Sequence, residues 1–276
     1  MLLVIDVGNT NTVIGLYDGD NLVHHFRIST TRGRTSDELG DLLLALLERR
    51  GVEAGDIEGS ILASVVPPLN RALRQACEQY FSSSPLVVGP GLKTGMPILT
   101  DQPAEVGADR IVNAVAAHHL KADEHRDHGL IVVDFGTATT FDVVNPKGQY
   151  LGGAIAPGID ISMDALFSHA AKLPRVELKR PATIIGKNTV TALQSGLFYG
   201  YVGLVDELVT RMQDEADFET QVLATGGLAV HFSEVSRTIK HIDDHLTLKG
   251  LRLLYANNRD AKDAAPKSKP KKGATA

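Results

Sequence analysis

The sequence has only one cysteine, Cys77, in 276 residues, which excludes an internal disulfide bond. It also lacks an apolar run of the roughly 20 residues that a membrane-spanning helix needs, since charged residues and glycines interrupt every candidate. The first residues lead directly into the apolar segment 2–5, without the basic start and cleavage site of a signal peptide. We therefore expect a cytoplasmic protein that does not bind membranes.

The sequence also has no excess of positively charged residues. Lysine and arginine number 28 against 33 aspartates and glutamates, a formal net charge of −5, and both signs are spread along the chain. A surface that binds the nucleic-acid backbone needs clustered positive charge, so we expect no nucleic-acid partner. Apolar periodicity stops near the carboxyl terminus, and we predict a disordered basic tail without an assigned function over residues 257–276.

Two common nucleotide-binding motifs are absent. The sequence contains no G-x-x-x-x-G-K-[ST] loop, and no G-x-G-x-x-G follows its first strand, which argues against P-loop and dinucleotide-binding folds. A transition-metal site is disfavoured although four histidines cluster, because charged residues surround them and no cysteine accompanies them. These histidines are His118, His119, His125 and His128.

The length of 276 residues, with 43% hydrophobic content, favours two modest lobes over one core. Apolar segments, turn residues and helical spacing of leucines predict the order β-β-β-α-β-α-β for residues 2–88. The first of these helices is predicted to start at an N-cap on Ser36, and the second to cover residues 68–81. We assign residues 1–120 to an amino-terminal lobe and residues 121–256 to a carboxy-terminal lobe.

The first strand and turn of the sequence recur later in the chain. Segment 4–12 resembles segment 132–140 at a constant offset of 128, and both read D-x-G-x-x-x-T. In each copy an apolar strand ends in an aspartate, Asp6 or Asp134, and a second β-rich segment follows a glycine-containing turn. Chance similarity of two hairpins is the alternative, but the added match of the final threonine favours an internal duplication.

Turns of this composition suit phosphate. A glycine lets the backbone approach a ligand closely, crowded amides and hydroxyls can donate to phosphate oxygens, and a carboxylate at the strand end can hold Mg²⁺ directly or through water. Two such turns on facing lobes would enclose a polyphosphate from both sides. The predicted ATP- and phosphate-binding residues of the first hairpin are Asp6, Val7, Gly8, Asn9, Thr10, Asn11, Thr12 and Val13.

A third glycine motif follows the apolar segment 221–224. The pair Gly226 and Gly227 could simply end a strand, but its place after two phosphate hairpins favours nucleotide contact. The three motifs in this order resemble those of the actin, hexokinase and Hsp70 superfamily. That resemblance implies an α/β fold of two ribonuclease-H-like lobes with ATP in the cleft between them.

Segment 105–117 narrows the resemblance, because it contains the pattern G-A-D-R-x-x-N-A. At the start of a predicted helix, Asp109 could accept a hydroxyl proton, and the planar guanidinium of Arg110 suits an anionic group. Helix capping with a surface ion pair is the alternative for these two residues. Taken with the glycine motifs, this pattern makes the chain resemble the type III pantothenate kinases over residues 1–255.

The resemblance implies ATP-dependent phosphorylation of pantothenate to 4'-phosphopantothenate, the first step of coenzyme A biosynthesis. It implies a homodimer that uses Mg²⁺ and a monovalent cation, K⁺ or NH₄⁺, with Asp109 as the catalytic residue. In the same way, Asp134 is implied as the ligand of the monovalent cation and Thr137 as an ATP contact, while Thr189 would reach the substrate of the neighbouring subunit. The implied substrate-binding residues are Thr100, Gly107, Ala108, Asp109, Arg110 and Thr189.

Thr100 stands where many members of that family carry a tyrosine, so we expect a pocket without this aromatic wall. Two alternatives therefore stay open. One is a kinase of the same fold that acts on another small alcohol, and the other is an inactive accessory or regulatory protein. The joint presence of Asp6, Asp109 and Asp134 argues against the second.

Overall fold

The computed structural model describes residues 1–121 and 127–263. The strands in this part of the chain are β1 (Leu2–Val7), β2 (Asn11–Asp18), β3 (Asn21–Ser29), β4 (Gly59–Ser64), β5 (Leu86–Val87), β6 (Gly129–Phe135), β7 (Ala138–Val144), β8 (Tyr150–Pro157), β9 (Thr220–Thr225) and β10 (His241–Ile242). The helices are α1 (Ser36–Glu48), α2 (Pro67–Phe81), α3 (Ala108–Leu120), α4 (Ile159–His169), α5 (Thr189–Glu215), α6 (Ala229–Ser233) and α7 (Leu246–Asp263).

The predicted order β-β-β-α-β-α-β is confirmed for residues 2–88. The N-cap of α1 is Thr35, one residue before the predicted Ser36. Thr35 is the N-cap because it forms a capping box with Glu38. The Thr35 hydroxyl accepts from the amide of Glu38 at 3.3 Å, and the Glu38 carboxylate accepts from the amide of Thr35 at 2.8 Å. None of the helices in the described ranges is long and apolar enough to cross a membrane.

Two five-stranded sheets repeat one topology. The first has the order β3-β2-β1-β4-β5, and the second has the order β8-β7-β6-β9-β10. In each sheet the first three strands form antiparallel hairpins, and the last two strands run parallel to the central strand, β1 or β6. The sequence repeat therefore marks a duplicated structural unit.

The two hairpins differ by one residue in their turns. Thr12 lies opposite Val7 in the first hairpin, and Thr139 lies opposite Phe135 at the equivalent place in the second. Thr12 therefore corresponds in space to Thr139 and not to Thr140, which the constant offset of 128 had matched to it. The sequence match misses this because a shortened turn shifts the pairing register without disturbing the aspartate and glycine before it.

The core is arranged in layers on and between the sheets. Helices α1 and α2 cover one face of the first sheet, and α5 and α6 cover one face of the second. Helices α3 and α7 pack against each other between the two sheets, where α3 contacts β6 and β7 and α7 contacts β1, β2 and β4. Helix α3, which carries Asp109, is thereby placed where the two sheets approach each other.

Helix α7 departs from the predicted organisation in two ways. Its residues were assigned to the carboxy-terminal lobe, yet it packs on the first sheet, because the buried leucines Leu246, Leu251 and Leu254 face that sheet and α3. It also continues to Asp263, so residues 257–263 are helical and the predicted tail boundary is too early. The rest of the predicted tail, residues 264–276, lies outside the described residues.

Candidate active site

The two duplicated turns touch each other. The hydroxyl oxygens of Thr10 and Thr137 are 2.9 Å apart and share a hydrogen bond. In both turns the glycine amide closes the loop, since Gly8 donates to Asn11 at 3.0 Å and Gly136 donates to Ala138 at 3.1 Å. These glycine amides are therefore engaged within the turns, and the residues at the turn tips remain to face a ligand.

Three carboxyl groups converge behind these turns. Burial raises the pKa of Asp6 to about 8, and the negative charges of Asp109 and Asp134 contribute to the rise. Burial likewise raises the pKa of Asp134 to about 7, with a further contribution from Asp109. Since β1 and β6 end at the same place and α3 begins there, the structure brings together all three aspartates that the sequence singled out.

Asp134 is held by a chain of side-chain hydrogen bonds. Buried Asn113, on α3, donates from Nδ2 to Asp134 Oδ2 at 3.0 Å, and Thr247 donates to Asn113 Oδ1 at 2.7 Å. Gly226 lies against the other carboxyl oxygen, because a Cβ at this glycine would come within 2.7 Å of Asp134 Oδ1. The predicted third glycine motif thus packs on the second acidic hairpin.

Asp109 is the second residue of α3, and one of its oxygens is engaged by the start of the helix. The amide of Arg110 donates to Asp109 Oδ1 at 2.8 Å, and the backbone amide of Asp109 also hydrogen-bonds to its own carboxylate. Burial raises the pKa of Asp109, and the amide and the charge of Arg110 oppose that rise. The N-cap of α3 is Gly107, so Asp109 is not the cap residue, and no side chain of the described residues donates to its carboxylate.

Arg110 on α3 makes an ion pair with a buried aspartate of β7 that sequence reasoning missed. Its Nε donates to Oδ1 of fully buried Asp142 at 2.7 Å. Tyr150 donates to the same oxygen at 2.6 Å, and Thr140 donates to Asp142 Oδ2 at 3.2 Å. A charged residue inside the apolar strand β7 was the available signal, because a buried carboxylate needs partners of this kind.

Thr100 lies against β8, the strand that also carries Tyr150. An isolated β-bridge joins Ile98, two residues before Thr100, to Tyr150 at the start of β8. A Cβ built on Gly152 would lie 3.7 Å from the Thr100 methyl group. The Thr100 hydroxyl is buried and has no hydrogen-bond partner among the described residues. A buried hydroxyl in this state is suited to a ligand or water, since leaving it unpaired is costly.

Thr189 lies elsewhere. It starts α5 and lines an open groove of about 700 Å³ whose walls include none of the three aspartates. Exposed Ile184 and Ile185 lie in the segment just before the groove residues Gly186 and Lys187. Within the described residues, therefore, this predicted substrate contact is not brought to the aspartates of its own chain.

Several other predicted residues are placed behind the site or away from it. Val7 is fully buried in the first-sheet core, and the Thr12 hydroxyl is 2.9 Å from that of Thr30, which in turn donates to the Gly8 carbonyl. These side chains brace the turn and do not face a ligand.

Among the histidines, His118 packs on Gly148, and His125 lies outside the described residues. The described ranges contain no group of three or more His, Cys, Asp or Glu side chains arranged to hold a metal ion unaided.

The raised pKa of Asp6 predicts how stability depends on pH. The folded protein holds protons that the unfolded chain releases above pH 4, so the stability of the ligand-free protein should fall as pH rises toward 8. Asp6→Asn removes this titration, so its effect on the free energy of unfolding should be about 4 kcal/mol more stabilising at pH 8.5 than at pH 5. Urea unfolding at both pH values tests this, with exposed Asp214→Asn as the control. An unchanged slope in the Asp6 variant would contradict it.

Comparisons with known proteins agree with this geometry. A sequence model of the type III pantothenate kinase family matches residues 2–211. The type III pantothenate kinase of Anaeromyxobacter sp. (strain Fw109-5) is 59% identical over 259 residues, which cover 94% of this chain and all of that protein.

Solved structures agree on the fold. A Campylobacter jejuni protein named as a Baf family transcriptional activator has a TM-score of 0.58 at 20% identity, over 94% of this chain and 99% of its own. The inorganic polyphosphate/ATP-glucomannokinase of Arthrobacter sp. strain KM has a TM-score of 0.50 at 16% identity, over 93% of this chain and 98% of its own. These likenesses show a shared fold, here the α/β arrangement of two five-stranded sheets. By its match to the family model and its identity to full-length relatives, the chain belongs to the type III pantothenate kinases.

Proposed function

We propose that this protein transfers the γ-phosphoryl group of ATP to the primary hydroxyl of pantothenate, which gives 4'-phosphopantothenate in the first step of coenzyme A synthesis. The observation that carries the proposal is the contact between the duplicated turns, where Thr10 and Thr137 are 2.9 Å apart in front of three coupled aspartates. Phosphoryl transfer asks a protein mainly to align two oxygens and to balance charge, and this arrangement supplies groups for both tasks.

Asp109 is proposed as the residue that prepares the acceptor hydroxyl. Its Oδ1 is fixed by the amide of Arg110, and no side chain of the described residues donates to the carboxylate. A carboxylate held in this way can orient the hydroxyl and accept its proton as the phosphoryl group is transferred. The raised pKa of Asp109 makes it a stronger base than an exposed aspartate.

Cations fit the site chemically. Asp6 and Asp134 offer hard carboxylate oxygens, and their raised pKa values mark negative charge that the protein itself compensates poorly. We assign Asp134 to the monovalent cation, K⁺ or NH₄⁺, and Asp6 to Mg²⁺ through water or phosphate. When bound, these ions would offset the charge gathered on the phosphates.

The acceptor pocket is proposed to lie around Gly107, Ala108, Arg110 and Thr100. The Arg110 ion pair with Asp142 uses Nε, and no described partner takes its two terminal nitrogens, which could bind the carboxylate of pantothenate. The unpaired Thr100 hydroxyl is a second candidate contact. Together these groups favour an anionic acceptor with hydrogen-bonding groups over a neutral sugar.

A homodimer is proposed to complete this pocket. Thr189 lines a separate groove, exposed Ile184 and Ile185 come just before its residues Gly186 and Lys187, and Ile155 and Ile161 are exposed on β8 and α4. Such an apolar surface suits a second copy of the chain, which would bring Thr189 to the neighbouring acceptor site. Sedimentation at micromolar concentration tests this proposal, and a monomer with full activity would contradict it.

The decisive experiment is a turnover assay with ATP, Mg²⁺ and a panel of acceptors, with and without K⁺. We expect rapid phosphorylation of pantothenate, at least about tenfold faster with K⁺, and loss of turnover when a chelator removes Mg²⁺. Faster phosphorylation of a sugar or another alcohol would favour the kinase of different specificity. Nucleotide binding without formation of any phosphorylated product would favour the inactive accessory protein.

A further inference from the structure

A positively charged residue on β3 shares a sheet face with the first aspartate. In the register of the first sheet Asp6 lies opposite Val13, and Val13 lies opposite Arg27. Side chains directly opposite one another in a sheet point to the same face. Arg27 therefore projects on the side of the sheet where Asp6 meets the second hairpin, two strands away from it.

This face of β3 reaches residues that follow β9 and β10 of the second sheet. The rings of His25 and His245 are 4.6 Å apart, and the Arg27 guanidinium lies at the third glycine motif. A Cβ built on Gly227 would be 3.2 Å from Arg27 Nη1. The Arg27 side chain thus extends from the first sheet to the glycine turn that packs on the second acidic hairpin.

Arg27 is available to a ligand. It is an exposed residue, and it makes no hydrogen bond or ion pair with the residues that the structure describes. Its positive charge lowers the pKa of both Asp6 and Asp134 against the larger effect of burial, which places the guanidinium near both carboxyl groups. It is therefore a cation without a direct partner beside an acidic site that must accept an anionic polyphosphate.

We propose that Arg27 binds the polyphosphate of ATP and holds it against the turn at Gly226 and Gly227. An arginine presents a planar fork that suits phosphate oxygens, and such charge-assisted hydrogen bonds are about twice as strong as neutral ones. A cation at this place would also offset part of the negative charge that Asp6 and Asp134 present to the phosphates. The proposal rests on ATP being the phosphoryl donor and adds a residue to that binding site.

The alternative is that Arg27 only balances the charge of the aspartates. The two roles differ in how nucleotide affinity depends on phosphate number. A contact to the β- or γ-phosphate strengthens the binding of ATP and not of AMP, which lacks both groups. A general effect on the charge of the site changes both affinities alike.

The test measures ATP and AMP affinities by calorimetry for wild type, Arg27→Gln and Arg27→Lys. Arg74→Gln, at an exposed position on α2, is the matched control. We expect Arg27→Gln to weaken ATP binding about 30-fold and AMP binding less than twofold, with an equal rise in KM for ATP. Arg27→Lys should recover part of the loss, and Arg74→Gln should change neither affinity.

Equal weakening of both nucleotides, or an ATP affinity within threefold of wild type, would overturn the role of Arg27. Thermal unfolding of each variant separates the loss of this contact from misfolding. A folded Arg27→Lys variant that recovers no ATP affinity would also overturn the role of Arg27. A wild type that binds ATP and phosphorylates no pantothenate would refute the proposed function and leave the Arg27 result readable. A wild type that binds neither nucleotide would refute both.

Discussion

Asp109→Asn is expected to lower kcat by about 10³-fold while the protein stays folded. Asparagine has the same shape, and its amide oxygen can still accept from the Arg110 amide, but it cannot take a proton from the acceptor hydroxyl. ATP affinity should remain within about threefold of wild type, because the change removes an interaction made mainly in the transition state. Steady-state kinetics and nucleotide titration check both expectations.

The control for this prediction is Asp214→Asn on the exposed part of α5. It makes the same chemical change away from the aspartates, and its kcat should equal that of wild type. The thermal midpoint of the Asp109 variant should not fall, since the charge that it removes is buried and its pKa is raised. If the Asp109 variant kept more than about a tenth of the wild-type kcat, Asp109 would have only a structural role at the start of α3 and would not be the catalytic base.

Gly226→Ala is expected to damage both stability and activity. This glycine has φ of 92°, where other residues are strained, and an added Cβ would lie 2.6 Å from the Phe135 carbonyl oxygen and 2.7 Å from Asp134 Oδ1. Backbone and carboxylate must both shift, so we expect a loss of about 2 to 4 kcal/mol in unfolding free energy. A displaced Asp134 should reduce kcat/KM by at least about 100-fold.

Gly227→Ala is the matched control one residue away. Its Cβ would meet only the end of the flexible Arg27 side chain, at 3.2 Å, and its φ is not positive. Its unfolding free energy should stay within about 1 kcal/mol of wild type. Urea unfolding of the two variants side by side makes the comparison, and equal stabilities would show that the close approach of Gly226 to the second hairpin is unimportant.

The duplicated hairpins could be predicted because their signals are local. An apolar strand, an aspartate at its end and a glycine in the turn stand within nine residues of one another, so the repeat is visible in the sequence. The family resemblance rests on motifs of the same kind, and the comparisons confirm it. The shift of Thr139 into the place of Thr12 was missed, because deleting one turn residue changes the pairing partner and leaves the local pattern intact.

The partners of the site residues could not be predicted in the same way. The Arg110–Asp142 pair, the Asn113–Asp134 bond and the approach of Arg27 to Gly227 join residues that are distant in the chain. No local pattern specifies such pairs, since each depends on how the two sheets and the helices between them pack together. The pairing of Arg110 matters most for function, because it leaves the terminal guanidinium nitrogens as the groups that can still bind an acceptor.

By itself the sequence determined the family, the repeated strand-and-turn units and the three aspartates, because composition and short-range spacing encode strands, turns and charges directly. Only the tertiary structure decided that the two turns touch at Thr10 and Thr137, that α7 packs back on the first sheet, and that Arg27 reaches the glycine turn. The physical reason is that long-range contacts are selected by the joint burial of both sheets around α3 and α7, which no single segment specifies.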